Sequence, residues 1–129
     1  MCLLGVGGCG QRRVEPTAVT SYENLGAING AYSKATRTLN RPPKSLDELL
    51  PFLKEVGDPE AILRSPRDGE PYVIVWDVDL REKGPVPIFA YERLGKDGSR
   101  FISNGRIVSK MTNEDFGKAN FPAGHRPSP

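Results

Sequence analysis

The chain is 129 residues long, the length of one domain, and its 31 Leu, Ile, Val and Phe residues suffice for a modest core. Its 14 glycines and 12 prolines predict many loops and tight turns and argue against a plain helix bundle. The net charge of +2 comes from 18 basic and 16 acidic residues mixed along the chain, which gives no basic face for nucleic acid; one His and two Cys, with no nucleophile–His or clustered His/Cys pattern, supply few parts for catalysis or a transition metal. The expectation is a non-enzymatic protein with no cofactor, no metal site and no nucleic-acid partner.

The first ten residues, MCLLGVGGCG, are uncharged, and Arg12, Arg13 and Glu15 follow at once. Within them, Val6-Gly7-Gly8-Cys9 resembles the lipobox of bacterial lipoproteins. That motif places an aliphatic residue and two small residues, which let an extended backbone enter a peptidase groove, before the cysteine whose thiolate becomes a thioether. The resemblance implies a lipid anchor at Cys9 and a place in the bacterial cell envelope, facing the periplasm or the exterior, with the bilayer and envelope proteins as partners. Eight residues before Cys9 are short for a signal peptide, so residues 1–19 are expected to hold a truncated signal, the lipobox and a polar tether containing Pro16. The alternative is a small apolar terminus in which Cys9 is a plain thiol. A Cys2–Cys9 disulfide would close too small a loop to stabilise much, and no run reaches the roughly 18 apolar residues of a membrane-spanning helix.

Thr20-Ser21-Tyr22-Glu23 fits a capping box and predicts a helix start. Leu25, Ile28, Tyr32, Ala35 and Leu39 then recur at spacings of three and four, forming one apolar stripe that ends before Arg41-Pro42-Pro43. Ser45-Leu46-Asp47-Glu48 is a second capping box, followed by Leu49, Leu50, Phe52 and Leu53, with Pro51 expected to kink or shorten the helix and Gly57 to stop it. Asp58-Pro59-Glu60 has the cap-then-proline order of another short helix.

After the turn-rich residues 65–71, the β-favouring run Tyr72-Val73-Ile74-Val75-Trp76 marks the change from helix to sheet. Residues 88–92 read as a second strand and Gly95-Lys96-Asp97-Gly98 as the turn after it. Asn104-Gly105 between Phe101-Ile102-Ser103 and Arg106-Ile107-Val108 predicts a two-residue type I′ hairpin. It would place Ser103 opposite Arg106 and Ile102 opposite Ile107, with the isoleucine pair facing the first helix. Thr112-Asn113-Glu114-Asp115 starts a last short helix, and the proline-containing tail, 121–129, is expected to be irregular. The predicted fold is α+β: a long N-terminal helix packed across a three- to four-stranded antiparallel sheet, with short helices between them and at the C-terminus, in one domain over 20–120.

The capped segment SLDELLPFL, the entry SPRDGEPYVIVW and the closing NGRIVSKMTNEDF together resemble the soluble head of type II secretion pseudopilins over residues 21–116. Ser65-Pro66-Arg67-Asp68-Gly69-Glu70-Pro71-Tyr72 matches the turn, the Pro-Tyr pair and the strand entry of that family's loop, without its Trp-Gly pair. The sequence also resembles small uncharacterised bacterial lipoproteins. A prepilin peptidase site, a Glu five residues into the mature chain and the hydrophobic N-terminal helix of pseudopilins are not seen. The resemblance therefore implies a pilin-like head on a lipid tether, acting through protein contacts, with a pilus-like secretion component as the alternative.

Asp77 and Asp79, two apart and hence on one strand face, with Asp68 and Asp97 in loops, are the residue types that hold calcium, but solvated turn aspartates are far commoner. His125 stands in the tail, where a general base is expected to lack an orienting partner, and Ser65, Ser99, Ser103 and Ser109 lack a recognisable base. Tyr72, Trp76, Phe89, Tyr91 and Phe101 alternate as core and cross-strand partners would. Were the chain instead a ligand-binding or enzymatic module, its site would lie where residues 65–71 approach residues 77–87.

Overall fold

A computed structural model of the chain describes residues 16–81 and 87–127. Helix α1 spans Pro16–Leu39, α2 Leu46–Lys54 and α3 Pro59–Ile62; strands β1 (Val73–Ile74), β2 (Ala90–Tyr91), β3 (Ser99–Ser103) and β4 (Val108–Thr112) follow, and α4 (Asn113–Gly117) closes the order. The strands form one antiparallel sheet in the order β1-β2-β3-β4. The fold is α+β, as the pattern of capping boxes, apolar stripe and β-favouring runs predicts.

Helix α1 buries Ser21, Leu25, Ile28, Ala31, Tyr32, Ala35 and Thr36, a three-and-four spacing that aims one stripe at β2, β3 and β4. Full burial of Leu25 and of Ile28 contributes about 1.5–3 kcal/mol each. Pro16, the first described residue, is already helical, four residues ahead of the expected cap at Thr20, so Pro16 and Thr17 belong to the helix rather than to a tether. Ala18 packs against the core and holds this part of the helix down. The stripe also ends sooner than expected. Leu39 is 36% exposed, and Asn40 at φ +57 takes the left-handed conformation that ends the helix.

The second capping box gives way to a bond one residue earlier. Ser45 is the N-cap of α2 with no side-chain bond, while the Glu48 carboxylate accepts from the Lys44 N–H at 2.7 Å and from both terminal nitrogens of Arg41 at 2.9 and 2.8 Å. Pro51 neither ends nor shortens α2. It is exposed, and the Asp47 carbonyl it deprives of a partner is on an exposed residue that solvent can satisfy. Asp58 and Thr112 cap α3 and α4 by accepting from the Glu60 and Asp115 N–H groups at 3.2 and 3.1 Å.

Strands β1 and β2 are shorter than residues 72–76 and 88–92, because the chain leaves the sheet beyond Val75. There Tyr32 intervenes: its hydroxyl donates to the Val75 carbonyl and accepts from the Val78 N–H, both at 3.0 Å. Asp77 turns the backbone through φ +64.

The hairpin differs from its expected register. Ser103 pairs with Val108 and Ile102 with Ser109. Asn104 N–H donates to the Ile107 carbonyl at 3.2 Å, so Gly105 and Arg106 are the central residues, one position later than expected. Only Gly105, at φ +89, is in the left-handed region, which is the type II′ pattern rather than type I′. The Asn104 side-chain oxygen causes the slip by accepting from both Arg106 and Ile107 N–H at 3.0 Å. Each β3 residue thus meets a partner two positions later than expected, which keeps the faces, and Ile107 comes to lie beside the turn, opposite Asn104. Ile107 is 58% exposed, and Ile102 joins Ile88, Tyr91 and Phe116 rather than the helix side. A turn of the type I′ form stands one hairpin earlier, at Asp97-Gly98, with φ +55 and +77 and two bonds between Lys96 and Ser99.

The sheet is buried on both faces. Phe89, Ala90 and Phe101 pack with α1 and α2, whereas Tyr91 and Ile102 pack with Phe116 of α4 and with Phe121 of the tail. The described part of the tail is irregular, as expected, yet it is a structural cover.

Candidate functional site

Two groups of polar side chains stand out, one sealed and one open. The sealed group centres on Glu92, which is 0% exposed just beyond β2. Its Oε1 accepts from Arg67 Nη1 at 2.5 Å and from the Phe101 N–H at 2.9 Å; its Oε2 accepts from Ser21 Oγ at 2.5 Å and Ser65 Oγ at 2.9 Å. Tyr72 Oη lies 2.9 Å from Ser21 Oγ, and burial pushes the Tyr72 phenol pKa up, so it remains a protonated donor. The Arg67 guanidinium also sits 4.9 Å over the Phe101 ring. Four donors thus satisfy a carboxylate that would otherwise be costly to bury.

This group consumes the 65–71 loop, one half of the alternative ligand site expected between residues 65–71 and 77–87, of which 82–86 lie outside the described residues. The loop closes on itself through Ser65 N–H to Glu70 O at 2.9 Å and Gly69 N–H to Ser65 O at 2.8 Å, and turns Ser65 and Arg67 inward. Asp68 accepts backbone N–H groups from Glu70, Leu94 and Gly95 at 2.9–3.0 Å. Asp79 is held by Arg81, whose guanidinium beside it lowers the Asp79 pKa. Among the described residues no group of three or more His, Cys, Asp or Glu side chains comes together as metal ligands would. Cys9, the expected lipid site, lies outside the described residues, as does Cys2.

The open group lies on the sheet face away from α1. A cleft of about 680 Å³ is lined by Arg100 of β3, Asn113, Phe116 and Gly117 of α4, and Phe121, His125, Arg126 and Pro127 of the tail. His125 has an ordered partner after all: its Nε2 lies 2.8 Å from Tyr91 Oη, and its ring leans on Tyr91 and Phe121 with centroids 5.8 and 5.9 Å away. Phe116 and Phe121 meet edge to face at 5.1 Å. Burial raises the Tyr91 phenol pKa. Arg100 is 8% exposed and lies 4.1 Å over Phe116.

Sequence reading missed both groups for related reasons. Glu92 and Arg100 look like solvated strand residues, because burial of a charge leaves no periodic trace. The spacing of Phe121 and His125 in a tail rich in proline was the visible hint that the segment packs. No protein-family model, no curated protein and no solved structure matches the chain.

Proposed function

We propose that this chain is a non-enzymatic domain of the bacterial cell envelope, anchored by lipid at Cys9 and acting through contacts with other proteins. One observation carries the non-enzymatic part. The side chains with catalytic potential, Ser21, Ser65, Tyr72 and Glu92, are all at most 6% exposed and satisfy one another, so no substrate reaches them. The open cleft has the opposite make-up, aromatic walls and guanidinium groups, and its one histidine has no nucleophile among the lining residues.

The order Val6-Gly7-Gly8-Cys9 supports the anchor. Cys9 precedes the first described helical residue, Pro16, by seven positions, so the chain between them reaches at most about 25 Å. A domain held so close to a bilayer works on neighbours in the envelope. The order of a long helix, short helices and four antiparallel strands accords with the pilin-like resemblance and favours the same setting.

The test is expression in a bacterium behind a complete lipoprotein signal sequence, with detergent-phase partitioning and mass spectrometry of the mature N-terminus. The parent chain should enter the detergent phase with a lipid mass on Cys9, and Cys9→Ser should remain in the aqueous phase. Equal partitioning of the two would end the anchor reading.

A further inference from the structure

Strand β3 carries a cation into the face of the sheet that α1 leaves to the tail. Arg100 Nε donates to Asn113 Oδ1 at 3.1 Å, and Nη1 donates to the carbonyls of Arg93 at 2.8 Å and Glu92 at 3.3 Å. Nη2 makes no hydrogen bond among the described residues, and no carboxylate of theirs pairs with this guanidinium. Burial lowers the Arg100 pKa from its ordinary value, the mark of a charge taken out of water. A guanidinium at 8% exposure stays protonated; the Glu92 and Asp68 charges favour it, and neither carboxylate is hydrogen-bonded to it among the described residues.

Arg100 lines the 680 Å³ cleft, where its neighbours include the exposed Arg126, the half-buried His125 and the rings of Phe116 and Phe121, and where none of the described lining residues is acidic. The described lining thus offers an anion two guanidinium groups and no competing carboxylate. One buried guanidinium with one unused nitrogen matches a single negative charge better than a polyanion, and the aromatic lining favours an apolar body behind that charge.

We propose that this cleft binds an organic carboxylate borne on an apolar group, with the carboxylate on Arg100 and Arg126 and the apolar body against Phe116 and Phe121. The end of a peptide chain and a small aromatic acid both present that chemistry. The inference goes beyond the reading of the domain as acting through protein contacts and is independent of the Cys9 anchor, so it is tested on the full, unlipidated chain.

The experiment titrates acetyl-Leu-Phe, its C-terminal amide, phenylacetate and inorganic phosphate into the labelled protein, followed by calorimetry and by NMR of the Phe121 and His125 resonances. The acid should bind about 10- to 100-fold more tightly than the amide, the ratio of one charge-assisted hydrogen bond. Arg126→Gln, at an exposed position, should weaken acid binding about 2- to 5-fold. Arg100→Met should abolish the preference for acid over amide; should that variant not fold, the acid-to-amide ratio and Arg126→Gln decide. Phenylacetate binding as well as the dipeptide identifies small acids as the ligand class, and a tenfold advantage of the dipeptide identifies chain ends. Equal binding of acid and amide, phosphate binding as tightly as either acid, or no shift up to about 10 mM acid overturns the proposal.

Discussion

Glu92 and Arg67 form an ion pair at 2.5 Å with side chains only 0% and 6% exposed, and this pair joins the helical half of the molecule to the sheet. Through Ser21 the carboxylate holds α1, through Ser65 and Arg67 the 65–71 loop, and through the Phe101 N–H it holds β3. Breaking such a pair from one side leaves a charge buried without its partner. Arg67→Met should therefore destabilise the fold by about 3–5 kcal/mol in urea unfolding, and Ser21→Ala, which removes one donor to a charged acceptor, by about 1.5–3 kcal/mol. A cost under about 1 kcal/mol for Arg67→Met would mean that solvent reaches Glu92 and that the network does not hold the two halves.

The hairpin offers a contrast between two glycines. Gly105 sits at φ +89, and a Cβ there would lie 2.9 Å from the Leu80 Cδ2 atom, a flexible neighbour that can give way. The backbone conformation itself is the obstacle, so Gly105→Val should cost about 1–3 kcal/mol. Gly26 lies on the exposed side of α1 with nothing within 4 Å of a Cβ, so Gly26→Ala should add about 0.5–1 kcal/mol through helix propensity. Thermal unfolding of the two variants should move the midpoint in opposite directions; a shared direction would contradict the turn geometry.

The acid limb of stability should carry the signature of Glu48. The Arg41 guanidinium and the Lys44 N–H beside it hold its pKa down to about 2, against an unfolded value of 4.5. The native state thus favours the carboxylate, so this contribution is fully present above about pH 4.5 and is lost as pH falls from there toward 2. Glu48→Gln should flatten the stability curve across that window and leave its shape above pH 5 unchanged. An unaltered slope between pH 4.5 and 2 would show that the Arg41–Glu48 contact is screened by solvent.

How much of this was legible in the sequence depended on whether a residue's role repeats along the chain. The stripe from Leu25 to Ala35 was readable because packing against a sheet needs the same face every turn. The order of the strands followed from runs such as Val73-Ile74-Val75 and from the turns between them. The register at Ile102 was not readable, because a single side-chain oxygen, that of Asn104, moved the turn by one residue. That the chain is already helical ahead of Thr20 was obscured by a capping box there that the folded chain does not use as a start. The Glu92 and Arg100 groups were invisible because each depends on contacts between residues far apart in sequence, such as the 71 positions between Ser21 and Glu92.

Tyr32 shows how one such contact sets behaviour at the opposite end of the pH scale. Its ring is fully buried between Trp76 and Phe89, with centroids 6.1 and 4.6 Å away, and its hydroxyl bridges the Val75 carbonyl and the Val78 N–H. Burial pushes its pKa from 10.0 up to about 12. The native state thus holds the proton more tightly than the unfolded chain does. Stability from this group is fully present below pH 10, falls as pH rises from 10 toward 12, and is level beyond, a loss of about 2–3 kcal/mol across the window. Tyr32→Phe cannot ionise, so it should lack that falling limb, while near neutrality it should cost about 1–3 kcal/mol because Val75 O and Val78 N–H lose their buried partner. The curves of parent and variant should converge between pH 10 and 12, with the buried phenols of Tyr72 and Tyr91 present in both and cancelling in the difference. Parallel curves in urea unfolding over that range would show that Tyr32 ionises as an exposed phenol does, and that its bridge does not close the core at the point where the chain leaves β1.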